Sequence, residues 1–108
     1  MTTFSERQKG FEKKFEHDQE LAFKAKVRRN RLLGLWAAER MGLEGAAGVA
    51  YAKEVVAAEF DEGGDDGVIR KVVQDLAAKG VAIDNERVAF ELKRCATEAR
   101  KQIMADRR

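Results

Sequence analysis

Leu32-Leu33-Gly34-Leu35-Trp36-Ala37-Ala38-Glu39-Arg40-Met41-Gly42 is apolar almost all the way round a helix. A helix of that kind has no broad face to give to water, so other elements must surround it and it becomes the spine of a core. Gly42 supplies the stop, because glycine readily takes the left-handed conformation that ends many helices. Toward the N-terminus the packed part of the same helix reaches Asp18, a candidate N-cap, with a favourable i,i+4 pair between Glu20 and Lys24. A first packed helix is therefore expected over about residues 18–41.

The rest of the chain has no proline and is rich in Ala, Leu, Glu, Lys and Arg, so it favours helix, with glycines as punctuation. A second helix over about 44–60 carries Ala46, Val49, Ala50, Val55, Val56 and Phe60 and ends before Gly63-Gly64. Residues 61–67 form the clearest loop. Asp65 or Asp66 is then expected to cap a third helix over about 66–79, with Val68, Ile69, Val72, Val73 and Leu76 at helical spacing and Gly80 as terminator. The fourth helix, about 84–106, starts at Asp84, with Ile83 and Val88 placed as a hydrophobic staple. Val88, Leu92, Cys95, Ala99 and Ile103 share a stripe within about 80°. Phe90 lies opposite that stripe, either as a second contact surface or, the preferred expectation, covered by a neighbouring helix. The fold class is all-α, a compact four-helix bundle over residues 18–108.

Composition narrows the function. The chain has 108 residues, 44% of them hydrophobic, enough for one modest core. Its 21 basic and 19 acidic side chains leave a net charge of +2, which argues against a dedicated nucleic-acid or polybasic membrane protein. Cys95 is the single cysteine, so neither an intramolecular disulfide nor a cysteine metal cluster is available, and a reducing, cytoplasmic setting fits. The charged N-terminus does not resemble a secretory signal, and no stretch approaches the roughly 20 apolar residues of a membrane span.

Ahead of the bundle, Phe4, Phe11 and Phe15 fall within roughly 40° of one another on a helix, in an otherwise polar and charged segment. Burying three Phe side chains contributes roughly 5–9 kcal/mol at most. Ordering about fifteen residues of backbone costs roughly 15 kcal/mol or more. Gly10 and the like-charged pairs Lys9/Lys13 and Glu12/Glu16 add to the cost. Residues 1–17 are therefore expected to be disordered or marginally helical when free, and helical in a partner's groove. The alternative is that the three rings fold back on this chain's own core.

Catalysis finds little to work with: one His, one Cys and no nucleophile–base arrangement. Cys95, on the apolar face of the fourth helix, reads as a small hydrophobe. His17 and Asp18, at the junction of segment and bundle, read as a solvated pair or as a pH-sensitive hinge. The acidic loop lacks the ligand pattern of a calcium-binding hand. No metal site and no cofactor are expected. Lys24, Lys26, Arg28, Arg29 and Arg31 give the first helix a basic face, which supports a second reading as a helical adaptor or nucleic-acid-associated module.

Three blocks carry a resemblance: Phe11-Glu12-Lys13-Lys14-Phe15-Glu16-His17-Asp18, then Glu20-Leu21-Ala22-Phe23-Lys24-Ala25, then Arg29-Asn30-Arg31-Leu32-Leu33-Gly34-Leu35-Trp36-Ala37-Ala38-Glu39. Together they resemble the zeta subunit family, inhibitors of the F-type ATP synthase of alphaproteobacteria. The likeness extends through Met41-Gly42 and, more loosely, along the helical remainder. It implies an N-terminal inhibitory segment that becomes helical as it enters a catalytic α/β interface of F1 near the γ subunit, blocking rotation in the hydrolysis direction. Carried onto this chain, Phe4, Phe11 and Phe15 would be buried anchors, and Arg7, Lys9, Glu12, Lys13 and Lys14 would set register against the F1 walls. The resemblance also implies a non-enzymatic protein at the membrane-associated ATP synthase on its cytoplasmic side. Its partners would be the α, β and γ subunits, with no nucleic acid and no membrane insertion, and the free chain is expected to be a monomer.

Overall fold

The computed structural model describes residues 3–61 and 63–106, with side chains from Asp18 onward. Within them the chain forms four helices: α1 (Thr3–Arg40), α2 (Gly45–Ala58), α3 (Gly64–Ala78) and α4 (Asn85–Asp106). They pack as a bundle in which α1 lies against α2 and α4 over long fronts, and α3 closes the remaining side. Asp18 is not the cap it was expected to be, because it lies inside α1.

The helix ends follow from local chemistry. After α1, Gly42 takes φ 76°. The Leu43 N–H reaches back to the Ala38 carbonyl at 2.9 Å and the Gly42 N–H to Glu39 at 3.2 Å. The same pair of bonds follows α3, from Val81 to Leu76 and from Gly80 to Ala77, both at 2.9 Å. Two orphan carbonyls are thereby satisfied at each end, and a left-handed glycine makes both turns accessible. At the start of α4 the Asp84 carboxylate accepts the Arg87 N–H at 2.8 Å, as expected of an N-cap. Val88 is buried and Ile83 packs against the core, completing the staple.

The start of α3 differs from the sequence reading. Gly63, at φ 102°, is the N-cap, and Asp65 and Asp66 fall in the first turn instead. A glycine free to adopt positive φ starts the helix earlier, and the two carboxylates then sit where the helix dipole favours negative charge.

The core is built from Leu33, Trp36 and Ala37 of α1, Tyr51 and Val55 of α2, Val68, Val72 and Leu76 of α3, and Val88, Leu92 and Cys95 of α4. Fully buried aliphatic side chains such as Leu33, Leu76 and Val72 each contribute about 1.5–3 kcal/mol. Expectations for four apolar residues are corrected. Leu35, Val49, Phe60 and Phe90 are exposed. The buried face of α2 is Gly48, Tyr51, Ala52, Val55 and Ala58, a face of small residues and one aromatic. Its position is set by close approach: a Cβ added to Gly34 would lie 2.6 Å from the Ala52 Cα. The Arg87 guanidinium lies over the exposed Phe90 ring at 5.6 Å.

Candidate functional site

The side chains of Phe4, Arg7, Lys9, Phe11, Glu12, Lys13, Lys14, Phe15 and His17 lie outside the described residues. Their backbone from Thr3 onward is the N-terminal part of α1. Asp18, the first described side chain, is exposed. The structure does describe how the rest of α1 is held. With 38 residues it is about 57 Å long, against about 33 Å for the 22 residues of α4, so it outruns the helix beside it.

The hold is a polar knot at the middle of α1. Asn30 is fully buried and Glu59 nearly so. The Glu59 carboxylate accepts Arg29 Nη2 at 3.0 Å and Asn30 Nδ2 at 3.1 Å. Lys26 Nζ approaches its other oxygen at 3.3 Å. Arg29 also donates to Asn30 Oδ1 at 3.0 Å and to Asp65 Oδ1 at 2.9 Å. One guanidinium thus ties α1 to the end of α2 and the first turn of α3. The Arg29 hydrogen bonds are the main reason the Asp65 carboxyl sits below the usual carboxylate range. A depressed carboxylate stabilises the fold above its unfolded value and stops doing so only as pH falls through the lower folded one.

Of the five basic residues read as one face of α1, three are engaged within the fold. Lys26 and Arg29 meet Glu59, and Arg28 Nη1 meets Asp106 at 2.7 Å. Lys24 and Arg31 remain on the surface with no ion pair among the described residues. The acidic loop contributes Asp65 to the Arg29 knot. Among the described residues no cluster of three His, Cys, Asp or Glu side chains is placed to hold a metal.

Two further polar contacts had no signal in hydropathy. Tyr51 donates its phenol O–H to Asp75 Oδ2 at 2.8 Å, and Lys71 reaches the same oxygen at 2.9 Å. Burial, then the Asp75 carboxylate, pushes the Tyr51 phenol above its ordinary value. Glu91 is buried on α4 yet accepts from Arg87 and Arg94, whose exposed ends reach over it at 2.9 and 2.7 Å. The spacing of Arg87 and Arg94 around Glu91 could have revealed that pairing.

Cys95 is buried, and burial raises its thiol pKa. Native protein is expected to react with a thiol reagent at least tenfold more slowly than urea-unfolded protein. Equal rates would place the thiol in an accessible, reactive setting.

The bundle also presents an open apolar surface beside α1. Phe23 and Phe60 are both exposed, and their ring centroids lie 5.6 Å apart. A groove of about 590 Å³ next to Phe23 runs between α1 and the end of α4, walled by Leu21, Val27 and Ile103. None of the described helices is long and apolar enough to cross a membrane.

A family model described as ATPase inhibitor subunit zeta matches residues 1–102. A protein with a solved solution NMR structure is 42% identical, over 78% of this chain and 95% of its own, and superposes with a TM-score of 0.69. No curated protein sequence matches.

Proposed function

This chain belongs to the ATPase inhibitor subunit zeta family, and from that premise we propose that residues 1–17 are the inhibitory element and residues 18–108 the globular domain that carries it. The element enters a catalytic α/β interface of the F1 head near γ and acts as a wedge. A helix lodged there blocks rotation in the hydrolysis direction, so ATP is conserved when the proton gradient collapses. The chain performs no chemistry itself.

The observation that carries this reading is the construction of α1. Its C-terminal half is locked into the bundle by Leu33, Trp36 and the Arg29–Glu59–Asp65 knot, while its backbone continues past the end of α4 toward Phe15, Phe11 and Phe4. Three aromatic rings with little apolar sequence around them need a partner's pocket to offset the ordering of the segment. Phe4, Phe11 and Phe15 are the anchors, and Arg7, Lys9, Glu12, Lys13 and Lys14 set orientation. His17 and Asp18 form the junction. The adaptor reading loses ground because three of the five basic residues it needs are engaged inside the fold.

The decisive experiment is ATP hydrolysis by F1 from the same source, depleted of its own inhibitor, with the intact chain and with a chain lacking residues 1–17. Hydrolysis is expected to stop only with the intact chain. Phe11→Ala and Phe15→Ala are expected to weaken inhibition by about 1–3 kcal/mol per ring at unchanged melting temperature. Unchanged inhibition with a lower melting temperature would assign those rings to the chain's own core.

A further inference from the structure

We infer that the bundle carries a second contact surface, the Phe23–Phe60 pair with its neighbouring groove, and that this surface docks on an acidic protein surface bordering the site the N-terminal segment enters. The inference rests on the inhibitory reading of that segment and extends it to a different part of the molecule.

Single exposed apolar side chains need no explanation. Here two large aromatics from different elements, α1 and the turn after α2, meet with their rings tilted by 37° while each keeps more than half its surface in water, at 55% and 60%. The groove beside Phe23 continues the apolar surface through Leu21, Val27 and Ile103. Aromatic rings concentrated around a groove are the anchors a partner can desolvate.

Charge selects the partner. Around the groove Lys24, Arg28 and Arg31 stand against the single carboxylate of Asp106, so its rim is net positive. Lys24 and Arg31, which form no ion pair among the described residues, both rim the groove. An acidic surface complements this rim, and a second copy docking through the same face would set Lys24 and Arg31 against their own counterparts.

Position selects the site. Phe23 follows Phe15 by eight residues, about 12 Å along a helix. A partner that grips Phe15 brings its own rim within reach of Phe23. The second contact then forms at high effective concentration and slows release.

The test measures association and dissociation of the full chain on immobilised F1 at low and high ionic strength. Phe23→Ser/Phe60→Ser is expected to dissociate about tenfold faster with little change in association. Lys24→Glu/Arg31→Glu is expected to associate several-fold more slowly at low salt, the difference vanishing at high salt. All four side chains are exposed, so both variants should keep the wild-type melting temperature. Rates equal to wild type in both variants overturn the second contact and leave the inhibitory segment standing. Concentration-dependent self-association of wild type that the aromatic variant abolishes also overturns it, assigning the patch to a second copy. Wild-type chain that does not bind F1 overturns the inhibitory reading itself.

Discussion

Glu59→Ala is expected to lower the unfolding free energy by about 3–5 kcal/mol, the loss typical of removing one partner from a buried ion pair. The Glu59 side chain is only 5% exposed and that of Arg29 only 12%, so water cannot readily replace the lost carboxylate. Asn30 Nδ2 would be left without its acceptor at a site with no exposure. Asp65 cannot compensate fully, because its own side chain is 51% exposed and its pairing with Arg29 is screened. Glu59→Gln keeps an acceptor for Asn30 and should cost about half as much. Asp65→Asn should cost under about 1 kcal/mol. Urea unfolding at neutral pH resolves the three values. A loss below about 1 kcal/mol for Glu59→Ala would show that the pair is not desolvated as drawn.

Gly34→Leu is the second large effect, at about 3 kcal/mol or more. The added Cβ would meet the Ala52 Cα at 2.6 Å and the Val55 Cγ2 at 3.2 Å. The first obstacle is backbone, so no rotamer change relieves it and the axes of α1 and α2 must separate. Separation opens voids around Leu33 and Val55, both fully buried. Gly34→Ala meets the same obstacle, but alanine's better helix propensity offsets about 1 kcal/mol. Urea midpoints should rank wild type above Gly34→Ala and Gly34→Ala above Gly34→Leu. A stabilised Gly34→Ala would mean that the two helices can move apart without loss.

The same contact explains what was legible in the sequence. Gly42, Gly80 and Asp84 mark helix ends through chemistry confined to a few residues, so those ends were readable. The stripe of α4 from Val88 to Ala99 was readable because its period matches one buried face. The face of α2 was not. It is chosen by how closely Gly48 and Ala52 let α1 approach, and hydropathy ranks those residues below Val49 and Phe60, which face water. Gly63 as a cap was missed because Asp65 and Asp66 are stronger capping residues by type, while the chain turns earlier through a positive φ. The segment proposed as inhibitory stands out in the sequence for the opposite reason: Phe4, Phe11 and Phe15 have little apolar sequence around them. The Arg29–Asn30–Glu59 knot joins residues 29–30 apart and leaves no periodic trace.

The central place of α1 has a consequence for synthesis. Its core positions, Leu33 and Trp36, are covered on one side by α2 and on another by α4, whose core positions, Val88 to Ala99, are translated about 50–65 residues later. At about 5–20 residues per second that is a delay of about 3–13 s. During that interval the nascent chain can form the α1–α2 hairpin but not the finished core. The close seam at Gly34 and Ala52 then shields one flank of the spine on the ribosome, leaving the other open to chaperones or to aggregation until α4 emerges.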